Sequence, residues 1–146
     1  MQETYQLLKE FKKKYPLTIA WRIKAHSKVI GIHLNPDEEV LYAFAGQKGE
    51  YFKDLFHTYV VVITTTRILV AQKRLIFGYF CTSVTPDLFN DLSVDSELIW
   101  GKVNIDTLNE KIVITNIDKK ALPEIETVIT TYMIEANKNR KGIKND

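Results

Sequence analysis

The chain has 146 residues, 45% hydrophobic and 26% charged, with a net charge of +2. This is the composition of a globular domain with enough apolar mass for a real core, and it excludes a disordered or disulfide-dependent chain. No apolar run approaches the ~20 residues that cross a bilayer, so no integral membrane segment is expected.

The single cysteine, Cys81, has no partner for an internal bridge, and a reducing cytoplasm is the expected compartment. The opening MQETYQLLKEFKKK carries charge without a following apolar stretch and is not expected to be a signal peptide. Charge is unevenly spread. Residues 1–28 hold seven basic groups against two acidic ones, and residues 85–110 hold one Lys against six carboxylates. Such a layout either forms solvated faces or orients the molecule on an anionic surface.

In chain order, residues 4–15 are predicted to be a helix, because Leu7, Leu8, Phe11 and Tyr15 recur at three and four residues. Thr4 is its expected cap and Pro16 its stop. Residues 17–34 fit two periods. Ile19, Trp21 and Ile23 alternate like a strand, whereas Ile19, Ile23, His26 and Ile30 make a helical stripe; a second helix or an irregular packed segment is the preferred reading.

After the turn signal Asn35-Pro36-Asp37, strands are expected at 39–45, 58–64, 67–72, 75–84, 88–94, 98–106 and 111–115. The strongest is the stretch TYVVVITTTRILV, residues 58–70, where two β-branched runs meet at a Thr-Thr-Arg reversal. Residues 46–57 are expected to form a loop. A last helix over 122–138 places Pro123 in its first turn and presents Leu122, Ile125, Val128, Ile129, Tyr132, Met133 and Ala136 on one face.

Seven short strands followed by one amphipathic helix imply a mainly β fold: an antiparallel, partly open barrel capped by a C-terminal helix. The expected division is an N-terminal helical extension over 1–33 packed on the domain, the domain itself over 34–138, and a polar tail over 139–146.

The segments VLYAFAG and VVITTTRILVAQKR, with Ile63-Thr64-Thr65-Thr66-Arg67-Ile68-Leu69 at their centre, resemble the bacterial pleckstrin-homology-like families. The turn Leu34–Val40 is similar to the one before their first strand, and the helix containing Leu122, Pro123, Ile125 and Ile129 is similar to their closing helix. The likeness spans about residues 34–137, and members from Gram-positive bacteria and their prophages look most similar. It implies a seven-stranded barrel and a non-enzymatic binding role, since eukaryotic relatives bind phosphoinositides or peptides. This chain departs from the phosphoinositide binders in the loop after the first strand, where Lys48 and Lys53 are interleaved with Glu50 and Asp54.

Chemistry-bearing constellations are sparse. His26, His33 and His57 lack metal-ligand spacing, no Gly-rich phosphate loop or nucleophile elbow is present, and Cys81 sits in an apolar strand. Neither an enzyme, a cofactor nor a metal is expected. Nucleic acid is disfavoured by the acidic segment 85–110.

The candidate anion or partner surface is Lys48, Phe52, Lys53, Arg67, Lys73 and Arg74. Lys48, Lys53, Lys73 and Arg74 would make a basic rim. Phe52, with Leu55 and Phe56, would enter an interface or fold back as a lid. Arg67 would contact a ligand or, as preferred, pair with an acid inside the fold. The expected function is a protein-interaction module, binding a protein partner or a second copy of itself. The alternative is peripheral binding to anionic lipids at the inner face of the membrane.

Overall fold

The order of elements is α1 (Gln2–Lys14), α2 (Ile23–His33), β1 (Val40–Lys48), β2 (Thr58–Thr64), β3 (Ile68–Lys73), β4 (Tyr79–Val84), β5 (Phe89–Ser96), β6 (Trp100–Thr107), β7 (Lys111–Asp118), a 3-10 turn (Lys119–Ala121) and α3 (Leu122–Asn145). The computed structural model describes residues 2–49 and 57–145. The strands form one antiparallel sheet in the order β4-β3-β2-β1-β7-β6-β5. It curls into a half-barrel whose terminal strands are β4 and β5.

Two apolar layers lie on the two faces of the first half of this sheet. Inside the barrel, Phe44, Val61, Ile63, Ile68 and Val70 meet Val103, Ile105, Ile112 and Ile114, and α3 closes the opening with Leu122, Ile125, Ile129 and Met133. Each such side chain stabilises the fold by ~1.5–3 kcal/mol gross. On the outer face, Ala43, Ala45, Val60, Val62, Leu69 and Ala71 pack against Leu8 of α1 and Val29 and Ile30 of α2. Every residue of β2 is therefore buried. This double cover explains why TYVVVIT lacks polar alternation: a strand buried on both faces has no solvent side.

Helix α1 reaches both layers, since its Phe11, and Tyr15 just beyond its end, join the inner core. Its Lys14 Nζ donates to Glu124 Oε1 of α3 at 2.5 Å, and Tyr42 Oη donates to Glu124 Oε2 at 2.8 Å.

Several expected boundaries shift, each for a local reason. Thr4 lies inside α1, fully buried, and does not cap it. The two-period segment divides: α2 begins at Ile23, and the residues before it are pinned to the barrel by Ile19 N–H to Asn116 O (2.9 Å) and Trp21 N–H to Thr58 Oγ1 (2.8 Å).

Strand β1 runs through Gly46 to Lys48 instead of stopping at Ala45. A Cβ at Gly46 would sit 2.6 Å from Ile114 Cγ2 and 2.8 Å from Thr115 O, so glycine here lets β1 and β7 approach where the sheet curls. Strand β4 begins at Tyr79, not Leu75, because Arg74 N–H donates to Gly78 O (3.1 Å) and Gly78 takes φ +71° to close a turn. Leu75, Ile76 and Phe77 form its tip. Strand β7 extends to Asp118, passing Asn116 at φ 56°.

Candidate functional site

The antiparallel order places the ends of β1 and β3 and the start of β2 at one mouth of the barrel. Lys48 N–H donates to His57 O (2.7 Å), and β3 delivers Lys73 and Arg74 beside them. The extension completes the arrangement. Arg22, immediately before α2, adopts φ 53° and ψ 38°, a left-handed conformation rare for a residue with a Cβ. Three contacts hold it there: the Trp21 bond to Thr58, the His26 N–H to Arg22 O (3.1 Å), and Arg22 Nη1 donating to Lys73 O (3.1 Å).

Arg22, Lys48, His57, Gln72, Lys73, Arg74 and Leu75 line an open cavity of about 290 Å³. No carboxylate is among these described lining residues.

His26 of α2 braces the backbone of Lys73. Its Nδ1 accepts the Lys73 N–H at 2.7 Å, so the neutral ring carries its proton on Nε2. Burial, and then the nearby Arg22 guanidinium, push its pKa down to about 4. The anchor is thus uncharged at neutral pH, and the base of the β3–β4 hairpin is tied to the extension through both backbone atoms of Lys73.

Three of the six expected surface residues, Lys48, Lys73 and Arg74, come together in this cavity. Phe52 and Lys53, with the lid Leu55 and Phe56, lie outside the described residues. Arg67 lies at the opposite end of β2 and β3, beside the Thr64–Ile68 reversal.

There Arg67 Nε donates to Glu38 Oε2 (2.8 Å) and Nη2 to Glu38 Oε1 (2.9 Å) and His33 O (2.7 Å). Glu38 also accepts from the hydroxyls of Thr64 (2.5 Å) and Thr66 (2.8 Å) and from Asn35 N–H (3.1 Å). Its carboxylate is almost wholly buried, and these donors, Arg67 foremost, hold it well below the usual carboxylate range. Thr65 Oγ1 accepts Glu39 N–H (3.2 Å). The Thr-Thr-Thr-Arg phrase is therefore a lock between the first turn and the β2–β3 hairpin.

Burial pushes the Cys81 thiol up, away from thiolate character. Among the described residues no group of three His, Cys, Asp or Glu is placed to hold a metal. None of their helices is long and apolar enough to cross a membrane.

A family model described as a bacterial PH domain matches residues 34–131. The chain belongs to the bacterial PH domain family. The PH-like fold is typical of non-enzymatic interaction and lipid-binding modules. A crystal structure of a pleckstrin homology domain from Shewanella amazonensis SB2B is similar at 13% identity and a TM-score of 0.48, over 73% of this chain and 83% of that one. No curated protein matches.

In this bacterial PH domain the matched region supplies Lys48, His57, Lys73 and Arg74, while Arg22 comes from upstream of it. Sequence reasoning missed Arg22 because nothing in Trp21-Arg22-Ile23 announces a left-handed turn. It missed the exposed tip by extending β4 backwards over Leu75-Ile76-Phe77, although Gly78 was the available signal for a turn.

Proposed function

We propose that this bacterial PH domain is a binding module whose basic cavity takes an anionic, phosphate-bearing group. The observation that carries the reading is the convergence of Arg22, Lys48, Lys73 and Arg74 on one open recess whose described lining has no carboxylate. Arginine guanidinium groups suit the planar, multidentate geometry of phosphate oxygens, and lysines supply mobile point charges. The surface differs from the expected one by gaining Arg22 and leaving out Arg67, whose donors are engaged by Glu38, His33 and Ser83.

Isothermal titration with inositol hexakisphosphate and with pyrophosphate tests this. Binding that weakens steeply with added salt, and is lost in Lys73→Glu/Arg74→Glu, supports it. Absence of binding to both probes at low salt refutes it.

A protein partner is the second reading. It is favoured by the outer sides of β4 and β5, which have no strand neighbour among the described residues and offer backbone groups for strand addition.

A further inference from the structure

We infer that the tip of the β5–β6 hairpin, with Leu17 beside it, is the centre of a two-fold interface between two copies of this chain. The surface lies away from the basic cavity and does not depend on the anion-binding reading. Strand β7 passes Lys48 at Ile114 and ends at Asp118, opposite Trp100.

The turn Glu97-Leu98-Ile99 is closed by Glu97 N–H donating to Trp100 O (2.9 Å). Leu98 is 87% exposed, Ile99 44% and Leu17 54%. Hydrogen bonds gather these side chains at one place. Trp100 Nε1 donates to Leu17 O (2.8 Å), Leu17 N–H to Asp118 Oδ2 (3.3 Å) and Lys119 Nζ to Leu98 O (3.0 Å). The result is a preformed patch of three exposed aliphatic residues around a half-buried indole. Single exposed apolar residues are ordinary, but a contiguous group that includes a Trp has the composition of an interface core.

Charge complementarity selects the occupant. Strand β6 lies between β5 and β7 in the sheet. Exposed Asp95 and Glu97 border the patch on the β5 side, and exposed Lys119 and Lys120 border it on the β7 side. In a two-fold interface the same patch comes from both copies, so each charge must meet its opposite on the other. A two-fold axis running between these borders, parallel to them, lays the acids of each copy on the bases of the other. An anionic bilayer or a nucleic-acid backbone is instead repelled by the acidic border. Leu17 belongs to the extension, outside the matched residues 34–131, so the complete patch needs a segment that the family model does not include.

The experiment is sedimentation velocity of the full chain from about 1 to 500 µM, with thermal melts to confirm that each variant folds. The full chain is expected to pass from monomer to dimer across that range. Leu98→Asp/Ile99→Asp, Glu97→Lys and Lys119→Glu are each expected to weaken the dimer at least about tenfold. An equimolar mixture of the two charge variants is expected to recover it, because opposite charges then meet at both borders.

A full chain that stays monomeric at the highest concentration overturns the proposal. So does a dimer that Leu98→Asp/Ile99→Asp leaves unchanged, since the contact then lies elsewhere. A loss in the charge variants that their mixture fails to recover overturns the two-fold arrangement.

Discussion

Replacing Glu38 by Gln removes one charge from the lock behind the first turn and leaves the shape nearly unchanged. Five donors converge on that carboxylate: two from Arg67, the hydroxyls of Thr64 and Thr66, and Asn35 N–H. Its side chain is 1% exposed and that of Arg67 18%. The amide presents an NH₂ to a ring of donors and strands the guanidinium without a counter-charge.

Breaking a buried pair in this way costs ~3–5 kcal/mol, against a total stability of ~5–15 kcal/mol for a domain. With a urea dependence of ~1–3 kcal/mol per molar, the midpoint falls by about 2 M, read by far-UV circular dichroism. Arg67→Met exposes the same coupling. The double variant loses less than the sum of the singles, because each single leaves the partner charge behind.

The pH dependence follows from the direction of the shift. The folded pKa of Glu38 lies below its ordinary 4.5, so its contribution is complete above that value and is lost as pH falls through the folded pKa. The gap between parent and Glu38→Gln therefore narrows on acidification below the ordinary value. A loss under ~1 kcal/mol at neutral pH, or a gap that stays constant down to about pH 2, refutes the lock.

Two further outcomes test the packing and the clamp. Gly46→Ala puts a Cβ within 2.8 Å of Ile114, Ile117 and the Thr115 carbonyl, and the backbone oxygen has little room to yield. We expect a loss of ~1–3 kcal/mol in thermal or urea unfolding, and unchanged stability would contradict the close approach of β1 and β7. His26 has a folded pKa of about 4 against an ordinary 6.5, so its contribution, ~3 kcal/mol, is complete above 6.5 and drains away as pH falls toward 4. His26→Gln keeps an acceptor for Lys73 N–H and cannot titrate. Its stability should be flatter than the parent's across that window, and parallel curves would rule out the neutral clamp.

The mainly β class, the β2–β3 hairpin, the closing helix and the first N-terminal helix are legible in the residues themselves, whereas residues 17–34 fit two periods and only the structure places α2 at Ile23–His33. Their signals are local: β-branched density at 58–70, a heptad-like stripe at 122–136, and turn residues at Asn35-Pro36-Asp37. Lys48, Lys73 and Arg74 are legible for the same reason, as cations in a predicted loop and beside a predicted reversal.

What only tertiary structure decides is which face each segment presents and what lies across from it. The same apolar run in β2 fits one buried face or two, and the packing of α1 and α2 settles it. Arg67 reads as a cation that pairs with an acid inside the fold or contacts a ligand, and only the fold shows that the acid is Glu38, distant in sequence. Arg22 joins the basic cavity through a left-handed backbone that no residue preference announces. Leu75-Ile76-Phe77 has the composition of a strand and becomes an exposed turn because Gly78 closes the chain behind it. Periodicity carries the near-neighbour information, and the pairing of remote segments, on which burial and charge depend, arises from the three-dimensional fold.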